Sequence, residues 1–284
     1  NRREFVSQTG RGALVLSAAA TLSPWAKILG ANDRIRLGVI GPGGRGRQLL
    51  RVAQAAPNVE ITAVCDVYPE NLEKAAQLTG GKAQTFTDYK ELLDSNQIDG
   101  VIIGTPDHWH TRMVVDACRA GKDVYCEKPL TLTIDEGKLL TQVVQETGRV
   151  VQVGSWQRSD HRFRLAIELV RQGRIGTLQR VEVVLGKNKV GGGFEVRPVP
   201  KHLNWDLWQG QTPAVPYIPE RSHFTFRWWY EYSGGQMTDW GAHHLDIAQW
   251  AINSNPVAIE ATAKYPTVED GFNVAVDFQA RYQY

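Results

Sequence analysis

The chain reads as an α/β protein whose first half is a doubly wound parallel sheet and whose remainder forms a second domain. Three observations predict this. A β-branched apolar run (Ile35, Leu37, Val39, Ile40) passes straight into Gly41-Pro42-Gly43-Gly44-Arg45-Gly46 and then into a helical stretch. Strand and helix patterns alternate from Asp33 to Ser155. At 284 residues the chain is long enough for two cores, and the alternation stops near Trp156.

The glycine turn fits G-x-G-x-x-G at Gly41, Gly43 and Gly46. Gly41 makes the tight turn, Gly43 lets backbone approach a pyrophosphate, and Gly46 lets helix and strand pack closely. Gly44 and Arg45 lie in the same loop, where the helix start offers free N–H groups to phosphate. A second strand ends on Asp66, placed to accept hydrogen bonds from an adenosine ribose. The cofactor expected is therefore NAD, since Asp66 repels a 2′-phosphate; Arg45 leaves NADP as the alternative because it could reach that phosphate.

Strands are expected at 35–40, 59–65, 83–86, 98–104, 123–126 and 149–154, and helices at 45–56, 70–79, 88–94, 110–120 and 134–147. Thr87-Asp88 and Thr133 suit helix N-caps, and Gly80, Gly121 and Gly148 suit helix stops. Ligands of such sheets bind where strands end, so two loops become candidates for chemistry. One is Thr105-Pro106-Asp107-His108-Trp109-His110, of which Thr105, Pro106, His108 and His110 are candidate cofactor contacts. The other is Cys126-Glu127-Lys128-Pro129, with Glu127 and Lys128 beside the cofactor; taken alone, a Glu-Lys-Pro tripeptide is more often a solvated turn.

Hydrophobic content of 42% and charged content of 22% are those of a globular protein, and a net charge of +2 is too small to imply nucleic acid as a partner. The basic excess lies in residues 1–31, with Arg2, Arg3, Arg11 and Lys27 against Glu4. There a paired arginine precedes a short Ala-rich segment, Gly12 to Leu22, too short to span a bilayer. This resembles a twin-arginine export signal and implies a periplasmic or otherwise exported protein with no integral membrane segment; a simple N-terminal arm is the alternative. Cys65, Cys118 and Cys126 have no C-x-x-C spacing and read as small core residues.

Beyond Trp156 a helix (163–172), a strand (181–185) and a long loop to about Tyr232 are expected, covering a domain of 156–284 after one of 32–155. Aromatics crowd this loop, and Trp228, Trp229 and Tyr230, with Gln157 and Arg158, are the candidate substrate contacts; a core role suits the rings equally. In Gly234-Gly235-Gln236-Met237-Thr238-Asp239-Trp240-Gly241-Ala242-His243-His244-Leu245-Asp246, a helix would put Asp239 and His243 on one face. The acid would then orient the imidazole for general-base work, or the two would be only a surface pair. His108, His110, His243 and Asp246 could be imagined around a metal, but no H-E-x-x-H or Cys/His pattern supports one.

G-x-G-x-x-G, T-P-x-x-x-H, E-K-P and G-G-x-x-x-D-x-G-x-H-x-x-D, in this order, resemble the glucose–fructose oxidoreductase / inositol dehydrogenase family (Gfo/Idh/MocA), including its exported branch. The resemblance covers about residues 33 to 284. It implies a Rossmann domain followed by an α/β domain with an open, mostly antiparallel sheet, and catalytic roles for Lys128, Asp239 and His243. It further implies an NAD(P)-dependent oxidoreductase acting on a sugar, polyol or glycoside hydroxyl, homo-oligomeric in full-length form. Redox-neutral glycoside cleavage through a 3-keto intermediate, and a non-catalytic cofactor-binding sensor or scaffold, are the alternatives. From Asn273 to Tyr284 apolar and polar residues alternate as in a half-buried strand; family members continue further, so the second domain is expected to be incomplete at its C-terminus.

Overall fold

The computed structural model of the protein describes residues 34–284, so the expected leader lies outside the described residues. The first half alternates strictly. In order come β1 (Ile35–Ile40), α1 (Gly44–Gln54), β2 (Val59–Cys65), α2 (Pro69–Leu78), β3 (Gln84–Phe86) and α3 (Tyr89–Leu93). There follow β4 (Gly100–Ile103), α4 (His110–Arg119), β5 (Asp123–Cys126), α5 (Ile134–Thr147) and β6 (Val151–Val153). All pairings are parallel, in the order β3-β2-β1-β4-β5-β6. The order reverses between β1 and β4, and the crevice outside those strand ends is where an open α/β sheet takes its ligand.

Local chemistry sets the helix ends. The Asp88 carboxylate accepts from the Lys90 N–H and starts α3. At α5, Thr133 and Glu136 cap each other's backbone reciprocally, and Gly148 closes the helix at φ +62°. The sheet is covered on both faces. Ile103, Val114 and Leu92 lie in one core cluster and Val39, Leu50 and Val64 in the other, all essentially inaccessible.

The second half is less regular. It holds α6 (His161–Arg171), α7 (Trp205–Gln209), α8 (Trp240–Ile252), β7 (Ala258–Lys264) and β8 (Asp277–Gln283), the last two paired antiparallel. β8 alternates as expected, with Phe278, Ala280 and Tyr282 half-buried and the residues between them exposed. The strand expected at 181–185 does not form. Its β-branched residues find no ladder partner among the described residues; Val181 to Val184 instead line an apolar groove against α6 and α8. Sequence reading missed β7, whose alanines give little strand signal, and the short α7, which lies inside the expected loop. Trp205, Trp208, Trp228, Trp229 and Tyr232 form a third core cluster with Phe272 and Val274.

Leu50→Ala should cost about 2–5 kcal/mol of unfolding free energy, whereas Thr133→Ala should cost about 0.5–2 kcal/mol. Urea titrations of the two variants would show the reverse order if the sheet core were loosely packed.

Candidate active site

A cleft of about 890 Å³ opens at the carboxyl ends of the strands, lined by Gly41, Gly43, Gly44, Arg45, Asp66, Thr105, Pro106, His110, Glu127, Lys128 and Asp239. The glycine loop shapes its floor. Gly41 has φ +72°, and a Cβ there would lie 2.6 Å from the Thr105 methyl, so only glycine permits this approach. A Cβ on Gly46 would strike the Gly41 carbonyl. Gly44 faces open space instead, and a Cβ on Gly43 would make only an ordinary contact with Asn71 at 3.9 Å; both lie at the start of α1, where no side chain caps the backbone N–H groups. The Thr105 hydroxyl lines the same cleft, buried and without a hydrogen-bond partner. A cradle of bare backbone N–H groups and an orphaned hydroxyl fit a dinucleotide.

Asp66 stands at the end of β2 with one carboxylate oxygen accepting from the Tyr68 N–H at 2.9 Å. Burial raises its pKa to about 6, while Tyr68, Asn71 and Arg47 pull the other way. Arg45 does not approach it. Its Nε donates to Glu127 Oε1 at 2.6 Å, across the cleft, so the arginine beside Asp66 is Arg47, itself bound to the Pro42 carbonyl and Asn71. Sequence reading missed Arg47.

His108 is not among the residues lining the cleft. It is 1% exposed, and its Nε2 donates to the Trp208 carbonyl at 2.9 Å, which also accepts from the Trp109 indole N–H. Burial lowers its pKa to about 4. His110 lines the cleft, but both ring nitrogens lie on carbonyls, Nδ1 2.6 Å from that of Pro129 and Nε2 3.0 Å from that of Thr105. It thus holds the two loops together.

At the open end, Lys128 leaves the β5 loop and donates to Asp239 Oδ1 at 2.5 Å. Asp239 Oδ2 accepts from Arg227 at 2.7 Å, and the Arg227 guanidinium lies 4.0 Å over the Phe224 ring. Burial works against the ionised Asp239, but Lys128 and then Arg227 overcome it, so its pKa lies below the usual carboxylate value. Arg227 had no signal in the sequence, because it is twelve residues from Asp239, in a short 3-10 turn (Thr225–Trp228) with no motif of its own. The expected Asp239–His243 hydrogen bond does not form, since Asp239 stands just outside α8 and both its oxygens are committed to cations. Its influence on His243 is through charge. His243, 7% exposed in the first turn of α8, has a pKa lowered to about 4, chiefly by burial, then by Lys128, with Asp239 opposing.

The expected substrate residues fare differently. Trp228 and Trp229 are buried core rings, because the loop folds back on them, and do not form a sugar-facing wall. Tyr230 is 64% exposed and is not among the residues lining the cleft. Arg158 grips Asp246 with two bonds of 2.7 Å, and Gln157 is buried in the groove between α6 and α8 with its side-chain oxygen unpartnered. Among the described residues no cluster of His, Cys, Asp and Glu could hold a metal ion.

The cleft is that of a dinucleotide-binding protein and ends in Lys128 and Asp239; His243, buried in the first turn of α8, is not among the residues lining it. Residues 35–155 match the NAD-binding Rossmann domain of the Gfo/Idh/MocA oxidoreductase family, and residues 183–282 its C-terminal α/β domain. The chain belongs to this family. An inositol 2-dehydrogenase of Rhizobium meliloti (strain 1021) is 26% identical over 81% of this chain and 58% of its own length. A glycosyl hydrolase family 109 protein of Saccharopolyspora erythraea is 33% identical over 66% of this chain and 45% of its own. Among solved structures, the myo-inositol 2-dehydrogenase of Lactobacillus plantarum superposes with a TM-score of 0.60 at 25% identity, covering 82% of this chain and 60% of that one. The WlbA dehydrogenase of Bordetella pertussis, solved with NADH and UDP-GlcNAcA, shares the fold with a TM-score of 0.65 at 21% identity, over 88% and 64% of the two proteins. The chain spans 53% and 58% of the length of two curated relatives that it matches.

Arg227→Ala leaves one Asp239 oxygen without its donor and should cost about 1–3 kcal/mol of stability. Urea unfolding that is unchanged in this variant would show the contact to be dispensable.

Proposed function

We propose that the protein is an NAD-dependent oxidoreductase acting on a CH–OH group of a sugar, polyol or glycoside. The observation that carries this reading is the Lys128–Asp239 pair, which brings the cofactor loop and the His243 helix to one point. NAD, when bound, supplies the two-electron acceptor. The glycine loop, Asp66 and Thr105 are the groups that would hold it, and Asp66 would favour NAD over NADP because a carboxylate repels a 2′-phosphate.

The protein's own work is to move a proton. His243 is kept neutral by burial and by the Lys128 charge, so it is in the form that can accept the hydroxyl proton, and the charge of Asp239 is what would favour the imidazolium as the carbonyl forms. Lys128 donates a hydrogen bond to the substrate oxygen as charge develops there, a term worth about 2.7–4 kcal/mol when one such donor is removed. Arg227 holds Asp239 so that the carboxylate does not neutralise the lysine alone. A second reading, redox-neutral glycoside cleavage through a 3-keto intermediate, is supported by the likeness to glycosyl hydrolase family 109 proteins. Release of an aryl leaving group without net NADH separates it from simple dehydrogenation. The full-length protein is read as a homo-oligomer, exported through the Arg2-Arg3 leader after folding around its cofactor.

His243→Ala should lower turnover by about 10²–10⁴ while NAD still binds, more tightly than NADP, in the same titrations. With NAD saturating, so that protonation of Asp66 near 6 does not limit the cofactor, kcat/KM for the substrate should stay flat down to about pH 4 and fall below it, where the His243 imidazole is protonated. A fall centred near 6.5, the ordinary imidazole value, would mean that neither burial nor the Lys128 charge lowers His243. Changing Arg2 and Arg3 to Lys should hold the precursor in the cytoplasm, and unaltered export of that form excludes the twin-arginine route.

A further inference from the structure

The carboxylate placed to read the ribose is not held by β2 alone. Asp66 directly follows that strand, and its Oδ1 accepts from the Tyr68 N–H at 2.9 Å. The Tyr68 carbonyl in turn accepts from the Asn71 N–H at 3.0 Å. The chain thus turns from β2 into α2 with Asn71 in the first turn of that helix, and Asn71 and Asp66 line the same cleft.

Asn71 serves two charges of opposite sign. Its Oδ1 accepts from Arg47 Nη1 at 3.0 Å, and the same nitrogen donates to the Pro42 carbonyl at 2.7 Å. With the amide oxygen taken by a cation, the NH₂ group is what remains to serve an anion. It donates to the Asp66 carboxylate, and both this bond and the Arg47 charge favour the ionised acid against the effect of burial. A Cβ built on Gly43 would lie 3.9 Å from Asn71 Nδ2, so the same nitrogen borders the glycine loop.

The other charged groups around Asp66 have their own partners. Asp88 accepts from the Lys90 N–H, Glu70 from the Tyr68 hydroxyl, and Arg45 reaches Glu127. Lys90 and His223 also line the cleft; burial lowers the pKa of His223 and raises that of Cys65, next to Asp66 in the chain. None of these groups takes the place of Asn71 between Arg47 and the acid.

We propose that Asn71 is the positioning residue for cofactor recognition: it relays the Arg47 charge to Asp66 and so holds that carboxylate ionised and aimed at the adenosine ribose. Asn71 takes no part in proton or hydride transfer. The inference goes beyond the oxidoreductase reading and requires only that NAD binds in the cleft.

The test is calorimetric titration of the cofactor-free protein with NAD between about pH 5 and pH 8.5. Burial sets the Asp66 pKa at about 6, and the protonated acid is the poorer acceptor for ribose hydroxyls, so affinity falls as the pH drops through that value. The unaltered protein should bind NAD about tenfold more weakly at pH 5 than at pH 8. Asn71→Ala removes the donor, and the loss should then set in about one pH unit higher. At pH 8.5, where Asp66 is ionised in both proteins, their affinities should agree within about twofold. Asn71→Asp is the sharper variant. It keeps an acceptor for Arg47 but sets a second carboxylate beside Asp66, so it should shift the profile at least as far as Ala. His223 is common to all three proteins, and a difference between their profiles is therefore not its titration. A profile unchanged in both variants overturns the relay, as does an affinity lost by the same factor at every pH, which is what a merely structural role gives. NAD affinity of the unaltered protein that does not vary with pH overturns it too. If the profiles shift as expected but no alcohol is oxidised, the relay stands and the oxidoreductase reading falls. Failure of NAD to bind at any pH removes both.

Discussion

The ion pair between Lys128 and Asp239 is the contact on which the site depends. Its two residues are 111 positions apart and each is less than one-fifth exposed, so neither charge could stand there alone without a large desolvation cost. Lys128 comes from the end of β5, in the cofactor-binding sheet, and Asp239 from the threshold of α8. Joining them fixes where α8 begins relative to the cleft, and His243 follows one turn later. With Arg227 as the second partner of Asp239, the group carries two positive charges against one negative. That surplus is one reason His243 is neutral, since an imidazolium would meet both burial and a nearby cation.

The seam between the halves is reinforced by contacts that carry no chemistry. Ser233 donates to the buried Asp107 at 2.5 Å, and the Trp208 carbonyl receives both His108 and the Trp109 indole. At Gly210, φ is +59° and a Cβ would collide with the Trp109 ring. His108 and Trp109 thus belong to the cofactor domain by sequence, but their work is to carry the second domain. A histidine in a motif loop need not touch a ligand; here the Trp208 carbonyl, the neighbouring aromatic rings and burial account for the place of His108.

Much of the fold was legible because the first half obeys local rules. The six strands follow β-branched runs, their helices start at residues such as Asp88 and Thr133, and the glycine loop has a spacing only a tight turn explains. The cofactor side of the site was legible for the same reason, since Gly41, Gly43 and Asp66 act through their own backbone or position. The other side was not. Arg227 reaches Asp239 from a separate 3-10 turn, Arg45 turns to Glu127 rather than to Asp66, and Asp239 faces two cations rather than His243. No periodicity encodes a side chain's choice among charged neighbours. The strand expected at 181–185 failed for a related reason, because a ladder is a property of two segments and a sequence run reveals only one.

The seam has a thermodynamic consequence. The cleft's far wall, from Leu207 to Gln211, belongs to the second half of the molecule, and the Trp208 carbonyl in it is bonded to the α4 loop of the first. Melting either half would expose buried indoles and leave Asp107, Lys128 and Asp239 without partners. The two halves should therefore share one heat-absorption peak in calorimetry rather than melt as separate units. A ligand bound in the cleft would then raise the melting temperature of the whole molecule by mass action.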